Sequence, residues 1–467
     1  MRSKVALYGV ALLLVAGGCG MDSKPDNPTT PKPGGTASQP PGSAPTAPAT
    51  TAEIAKAAEG GNRFACELYA KLAAEKKGDN LFLSPYSIST ALTMTWAGAR
   101  GQTAAEMEAV LRLPTREFAE HLPPAQPGGV APWRKIPGWP PERLHAAMAA
   151  LSGGLNIAGK DGRVQLSIAN ALWGQKGHPF LPEFLALNKA SYGAGLETVD
   201  FAGDAEGARK TINAWVEKQT QEKVKDLLPP GVLDKLTRLV LTNAIHFRGQ
   251  WQEPFDPAET KDRVFRLGGG RRILAPTMKL HTHFEYAKGD DFQAVELPYR
   301  GARLAMLVLL PDRDDGLAEL EKRLTPELLA GLKLARTDPV VQLPRFALTC
   351  DFRLDEQLRA LGMADAFAAG KADFSGLDGV KPPSPGALFI AAVLHKAFVE
   401  VNEKGTEAGA ATAVLVAKNG HAPPAFTADH PFLFLVRDRE TGTILFLGRV
   451  TDPAPGAPEA PAPEPKK

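Results

Sequence analysis

Residues 154–161 read GLNIAGKD, within one residue of a phosphate-cradling loop, but Asp161 stands where Ser or Thr would ligate magnesium. A strand-like run follows, where phosphate binding needs a helix N-terminus. His281, His283 and Glu285 alternate, so one strand across 280–286 would turn all three to one side, as a metal site or a solvated face does. Neither Gly-x-Ser-x-Gly nor His-Glu-x-x-His occurs, which leaves out a nucleophile elbow and a helix-borne zinc protease. No cofactor or metal is expected. The segment that stands out is 399–413, VEVNEKGTEAGAATA: an extended apolar run enters Gly405 and then a stretch of small residues. About 26 residues separate Gly405 from Pro431, and connections beyond about 12–15 residues are usually functional or disordered. Small side chains also suit a loop that later becomes a strand.

The elements that must position this loop are helices and long strands. Phe64, Leu68 and Leu72 recur at helical spacing over 63–77, and 87–97 reads as a buried helix. Runs 164–173, 239–247, 304–310, 432–436 and 444–450 are strand-like, several apolar throughout, as in a sheet covered on both faces. Residues 122–141 are rich in Pro and Gly and read as a surface insertion, whose Trp133 and Trp139 either cover core or mark a contact.

The 54 basic and 52 acidic residues leave a net charge of +2, which gives no field to gather nucleic acid. Residues 1–18 have a charged start, a short apolar run and small residues before Cys19, the form of an export signal shorter than the roughly 20 residues of a permanent span. Residues 19–51 and 454–467, rich in Pro and small residues, read as a disordered tether and tail around a domain at 52–453. Of three cysteines only Cys66 and Cys350 lie in that domain, so at most one disulfide is available.

Five stretches, in order, resemble the serpin family of protease inhibitors. They are 80–88 (NLFLSPYSI), 98–107 (GARGQTAAEM), 241–251 with Phe255 (LTNAIHFRGQW), 394–412 with its hinge EKGTEAGAAT, and 430–437 with 447–450 (HPFLFLVR, LGRV). The resemblance implies an α+β fold: a large central, mainly antiparallel sheet, two further sheets, eight or nine helices and an exposed reactive-centre loop. It implies an inhibitor, not an enzyme. A serine or cysteine protease cleaves the loop, is held as a covalent acyl-enzyme, and is trapped as the loop inserts into the sheet. From Gly405 to Asn419 the loop would supply roughly 50 Å of strand.

By the same resemblance Ser84, Ser87, Asn243 and His395 form a polar shutter beneath the strands that part. Gly249, Trp251, Lys279 and Glu403 form the breach, with Lys279 and Glu403 as an ion pair. The hinge comprises Glu403, Gly405, Thr406, Glu407, Ala408, Gly409, Ala410, Ala411 and Thr412; after Glu407, which should face solvent, it has no charge and no proline, as insertion requires. Counting forward from Gly405 puts the reactive bond at Asn419–Gly420; the count back from Pro431 puts it one residue later, and a trypsin-like protease would choose Lys418–Asn419. Residues 16–19 resemble the bacterial lipobox, which implies a lipoprotein anchored through Cys19 at the cell surface or periplasmic face; with an ordinary signal peptide the protein is secreted. A monomer is expected. A non-inhibitory serpin used for surface binding and an undetected hydrolase are the rival readings.

Overall fold

The computed structural model describes residues 47–115, 118–121, 133–136, 138–158, 164–193, 195–406 and 424–460, all within one compact unit, 46–467. The first helix, Thr51–Glu75, starts earlier than its apolar spacing predicts because Thr50 caps it: Glu53 N–H donates to Thr50 Oγ1 and Thr50 N–H to a Glu53 carboxylate oxygen. Phe64, Leu68 and Leu72 are fully buried beneath it. Helix Pro85–Trp96, with Ser84 as N-cap and Pro85 in its first turn, is buried along its whole length. It tolerates this because Ser89, Thr90, Thr93 and Thr95 donate their hydroxyls to carbonyls one turn back.

The central sheet runs in the order Phe346–Arg353, Ala392–Asn402, Gly405–Thr406, Leu239–Gln250, Val164–Gln175, Leu196–Val199. A seven-stranded antiparallel sheet and a four-stranded sheet complete the α+β architecture, with ten α-helices among the described residues. The excess over eight or nine comes from pieces such as Pro326–Ala330 and Ser375–Asp378, too short for a helical period to be legible. Both faces of the central sheet are covered. Ala208, Ile212 and Val216 of helix Ala205–Gln219 pack on Ala171, Trp173, Val240 and Leu394, while Leu239, Leu241 and Val393 face the main core.

Three expectations change. The proline-rich stretch is not all irregular, since Trp133–Ile136 pairs antiparallel with Phe118–His121, helix Pro141–Ala158 begins at its end, and Trp139 packs on the core. His281 ends strand Arg272–His281 of the four-stranded sheet, whereas Glu285 lies on Phe284–Lys288 of the seven-stranded one, so a bend at Thr282 between the two strands breaks the assumed alternation. Gly154 lies inside helix Pro141–Ala158, not in a loop, and 159–163 are outside the described residues. Cys66 and Cys350 are free thiols.

Candidate functional site

The central sheet is antiparallel except at its edge pair and at one seam in its middle. There Ala392–Asn402 and Leu239–Gln250 run parallel and pair directly over seven positions, from Ala392↔Val240 to Phe398↔His246. Beyond Phe398 the two strands diverge, and Gly405–Thr406 sits between them, antiparallel to both: Thr406 faces Val401 and Gly249, Gly405 faces Asn402 and Gln250. The chain has turned back at Glu403 and Lys404 and begun a new strand inside the sheet.

Side chains at the mouth of this wedge fit that geometry. Thr406 is fully buried, its hydroxyl 2.8 Å from Tyr299 OH. Burial holds the Tyr299 phenol well above its usual range, so it stays a neutral hydrogen-bonding partner. Trp251 stacks on Tyr299 with centroids 4.6 Å apart; its indole N–H donates to Asn402 O and its backbone N–H to Lys404 O, both at 3.0 Å. At Gly405, φ is +147° and a Cβ would lie 2.0 Å from Gly249 O, so only glycine fits. A Cβ at Gly249 would meet Tyr299 at 2.7 Å.

Glu403 is buried, but Lys279 is not its partner. Arg345 Nε donates to Glu403 Oε1 at 2.6 Å and Thr260 Oγ1 donates at 2.5 Å, while Lys279 Nζ lies 3.8 Å from Glu259. The reason is topological: Lys279 is on Arg272–His281, whereas Arg345 occupies the joint between Val340–Pro344 and Phe346–Arg353, whose first pair, Phe346↔Val401, lies two residues from Glu403. Burial pushes the Glu403 carboxyl up, but the hydrogen bonds from Thr260 and Arg345, with the guanidinium charge, bring it below the usual carboxylate range.

Lower on the seam Ser84, Ser87, Asn243 and His395 come together. Asn243 and His395 are cross-strand partners; His395 Nδ1–H donates to Asn243 Oδ1, and Ser84 N–H donates to His395 Nε2 at 3.1 Å. Asn243 Nδ2 donates to Ser87 Oγ at 2.6 Å and to Asn170 Oδ1 at 2.5 Å, Ser87 Oγ donates to Asn170 Oδ1 at 2.8 Å, and Ser84 Oγ to Leu445 O at 2.7 Å. Since Nε2 accepts, the imidazole is neutral; burial brings its pKa down to about 3. Ser84, Ser87, Asn243 and His395 are all buried, with hydrogen-bond partners, across three elements.

Sequence reasoning missed Asn170, Tyr299, Arg345 and Thr260. Asn170 alone left a signal, a polar residue inside an apolar strand; the others are defined by what they touch. Glu407, Ala408, Gly409, Ala410, Ala411, Thr412, Lys418, Asn419, Gly420 and Cys19 lie outside the described residues.

The site the described residues build is a parallel seam with a short strand started in it and one polar cluster beneath it. The pattern of the family "Serpin (serine protease inhibitor)" matches residues 59–453. The chain is 41% identical to the leukocyte elastase inhibitor of Bos taurus over 84% of this chain and 98% of that one, and 36% identical to an uncharacterized serpin-like protein of Thermococcus kodakarensis over 98% and 100%. It resembles the crystal structure of Serpin48 of the insect Tenebrio molitor with a TM-score of 0.72 at 31% identity, covering 86% of this chain and 98% of that one. The chain belongs to the serpin family. It is an inhibitory serpin.

Proposed function

We propose that this protein traps a serine or cysteine protease that cuts its loop at Asn419–Gly420, or at Lys418–Asn419 for a trypsin-like enzyme, while held to a membrane through lipid on Cys19. The observation that carries the trapping step is the register of Gly405–Thr406 between the seam strands. Continued, it sets position 408 opposite Phe247 and Val399, 410 opposite Ile245 and Ala397, and 412 opposite Asn243 and His395. Ala408, Ala410 and Thr412 would then share the core-facing side with Thr406, and Thr412 would bring a hydroxyl to the shutter as Asn243 and His395 separate. Glu407 falls on the other face, opposite Arg248.

Insertion replaces one parallel ladder with two antiparallel ones. Antiparallel pairing is the more stable per residue, and each new pair adds hydrogen bonds, so the step runs downhill once the loop is cut. Opening the seam moves its strands from about 4.8 Å apart to about twice that, which breaks the His395–Asn243 bond. The gate therefore controls when insertion starts, and the loop composition controls whether it finishes.

Relatives named as leukocyte elastase inhibitors make an elastase-like serine protease the first target to try, for which Val416–Ala417 is the suitable bond. The anchor reading rests on residues 16–19 and the tether after them. Thr412→Arg tests the mechanism, because Thr406 already lies in the sheet before the loop is cut whereas position 412 enters only on insertion. An arginine there must enter a buried site, and every 1.4 kcal/mol added to the insertion barrier slows insertion about tenfold. Wild type should give an SDS-stable protease complex, the variant mostly cleaved serpin beside active protease. Equal rate and stoichiometry of inhibition would remove insertion from the mechanism.

A further inference from the structure

The family pattern ends at residue 453, yet the chain continues against the protein as far as Ala460. Asn80 fixes the start of this extension: its Oδ1 accepts from Thr451 N–H at 2.7 Å and Asp452 N–H at 3.0 Å, and its Nδ2 donates to Asp452 O at 2.7 Å. Pro453 is buried, Ala454 and Ala457 pack on the core cluster that holds Trp251 and Phe346, and Ala457 N–H donates to Ala454 O to close a turn through Gly456 at φ +89°. The end is then laced to strand Arg272–His281: Glu459 bridges Ile273, and Ala460 N–H donates to Arg272 O at 2.8 Å. Val340–Pro344 pairs only from Thr277 onward, so the extension takes the backbone edge that this neighbour leaves uncovered.

What the extension borders is the hinge. A cleft of about 480 Å³ has Pro276 and Arg345 on one side, Glu400, Glu403 and Lys404 on the other, and Pro453 with Ala454 as a third wall. Arg345 N–H donates to Pro276 O at 2.8 Å, so the residue that holds Glu403 is itself fastened to the strand the extension grips. We infer that residues 453–460 are a positioning brace for the breach: they tie strand Arg272–His281 to the Arg345–Glu403 pair and so hold Ala392–Asn402 against early parting from Leu239–Gln250. The brace rests on the insertion reading. Without it, Phe346–Arg353 and Ala392–Asn402 shift sideways more easily, and the wedge at Thr406 deepens before any protease has cut the loop.

The test compares the full chain with one ending at Asp452 and with Ala460→Pro, which removes the N–H donated to Arg272 O and restricts Glu459 beside it while keeping the rest of the extension; Ala460→Ser keeps that donor. Two readouts are taken: amide hydrogen exchange of a peptide spanning residues 400–406, and the rate at which uncut protein warmed without protease turns into a heat-resistant form. The truncated chain and Ala460→Pro should exchange faster at the hinge and convert about tenfold faster, the effect of a barrier lowered by 1.4 kcal/mol. Ala460→Ser should match wild type. If the truncated chain does not fold, Ala460→Pro decides. Unchanged hinge exchange and conversion in the variants would overturn the brace. Absence of any protease complex from the full chain would instead overturn the trapping reading, while hinge exchange still reports on the brace.

Discussion

Single groups carry the proposed gate and the first step of the proposed insertion. His395 illustrates how a buried neutral histidine ties stability to pH. Its pKa lies near 3 in the folded protein and near 6.5 when unfolded, so above pH 6.5 neither state binds the proton and nothing is lost. Between pH 6.5 and 3 the unfolded chain takes the proton first, and stability falls by about 1.4 kcal/mol per pH unit on acidification. His145, brought down to about 4 by burial, adds a second slope in the same direction. Melting temperature plotted against pH from 7 to 4 should therefore be flatter in His395→Gln, whose amide keeps a donor and an acceptor but does not titrate there; the wild-type slope in that variant would show that His395 is not buried neutral. Gly405 is the other single-residue control. Gly405→Ala drives a Cβ toward Gly249 O and should expel Thr406 from the sheet, read as faster amide exchange at 405–406.

Strands and helices decide how these groups become a switch. Helix Pro85–Trp96 brings Ser84 and Ser87 under the seam, and three strands deliver Asn170, Asn243 and His395 at matching heights. Because Asn243 bonds to His395, Ser87 and Asn170 together, Asn243→Ala leaves several buried polar groups short of partners, at about 1–3 kcal/mol for each group left unsatisfied. The expected outcome is a lower unfolding midpoint and faster uptake of a synthetic peptide of sequence 405–416 into the sheet, followed on native gels. A lower midpoint with unchanged peptide uptake would make the cluster a stability element and not a gate.

At the scale of the molecule, the seam strands pair parallel from Ala392↔Val240 to Phe398↔His246 and are parted above that by Gly405–Thr406. Cutting the loop should raise the melting temperature, since two antiparallel ladders replace one; scanning calorimetry before and after limited cleavage measures this, and an unchanged melting temperature would mean the loop stays out. The proposed anchor at Cys19 is tested at the same scale; no helix among the described residues is long and apolar enough to cross a membrane. Two acyl signals suffice for stable anchoring where one does not. Cys19→Ser should move the protein from the membrane to the soluble fraction and abolish fatty-acid labelling.

The sequence by itself determined which residues had to be buried and which had to be small. The apolar runs at 239–247 and 432–436 became interior strands, and the family motifs placed Ser84, Ser87, Asn243 and His395 in one cluster, because burial periodicity and motif order are properties of a linear chain. Gly405 was likewise legible, since a glycine before a run of small residues marks a close approach of backbones. Only the tertiary structure decided partners. Arg345 rather than Lys279 holds Glu403, Asn170 bonds to Asn243, and Tyr299 receives Thr406, because these contacts join residues 58, 73 and 107 positions apart, set by strand order and register. The tail shows the limit from the other side. Its composition predicts disorder as far back as Ala454, yet Ala454 to Ala460 are placed, since an uncovered strand edge and a core surface near Trp251 supply partners that composition cannot see.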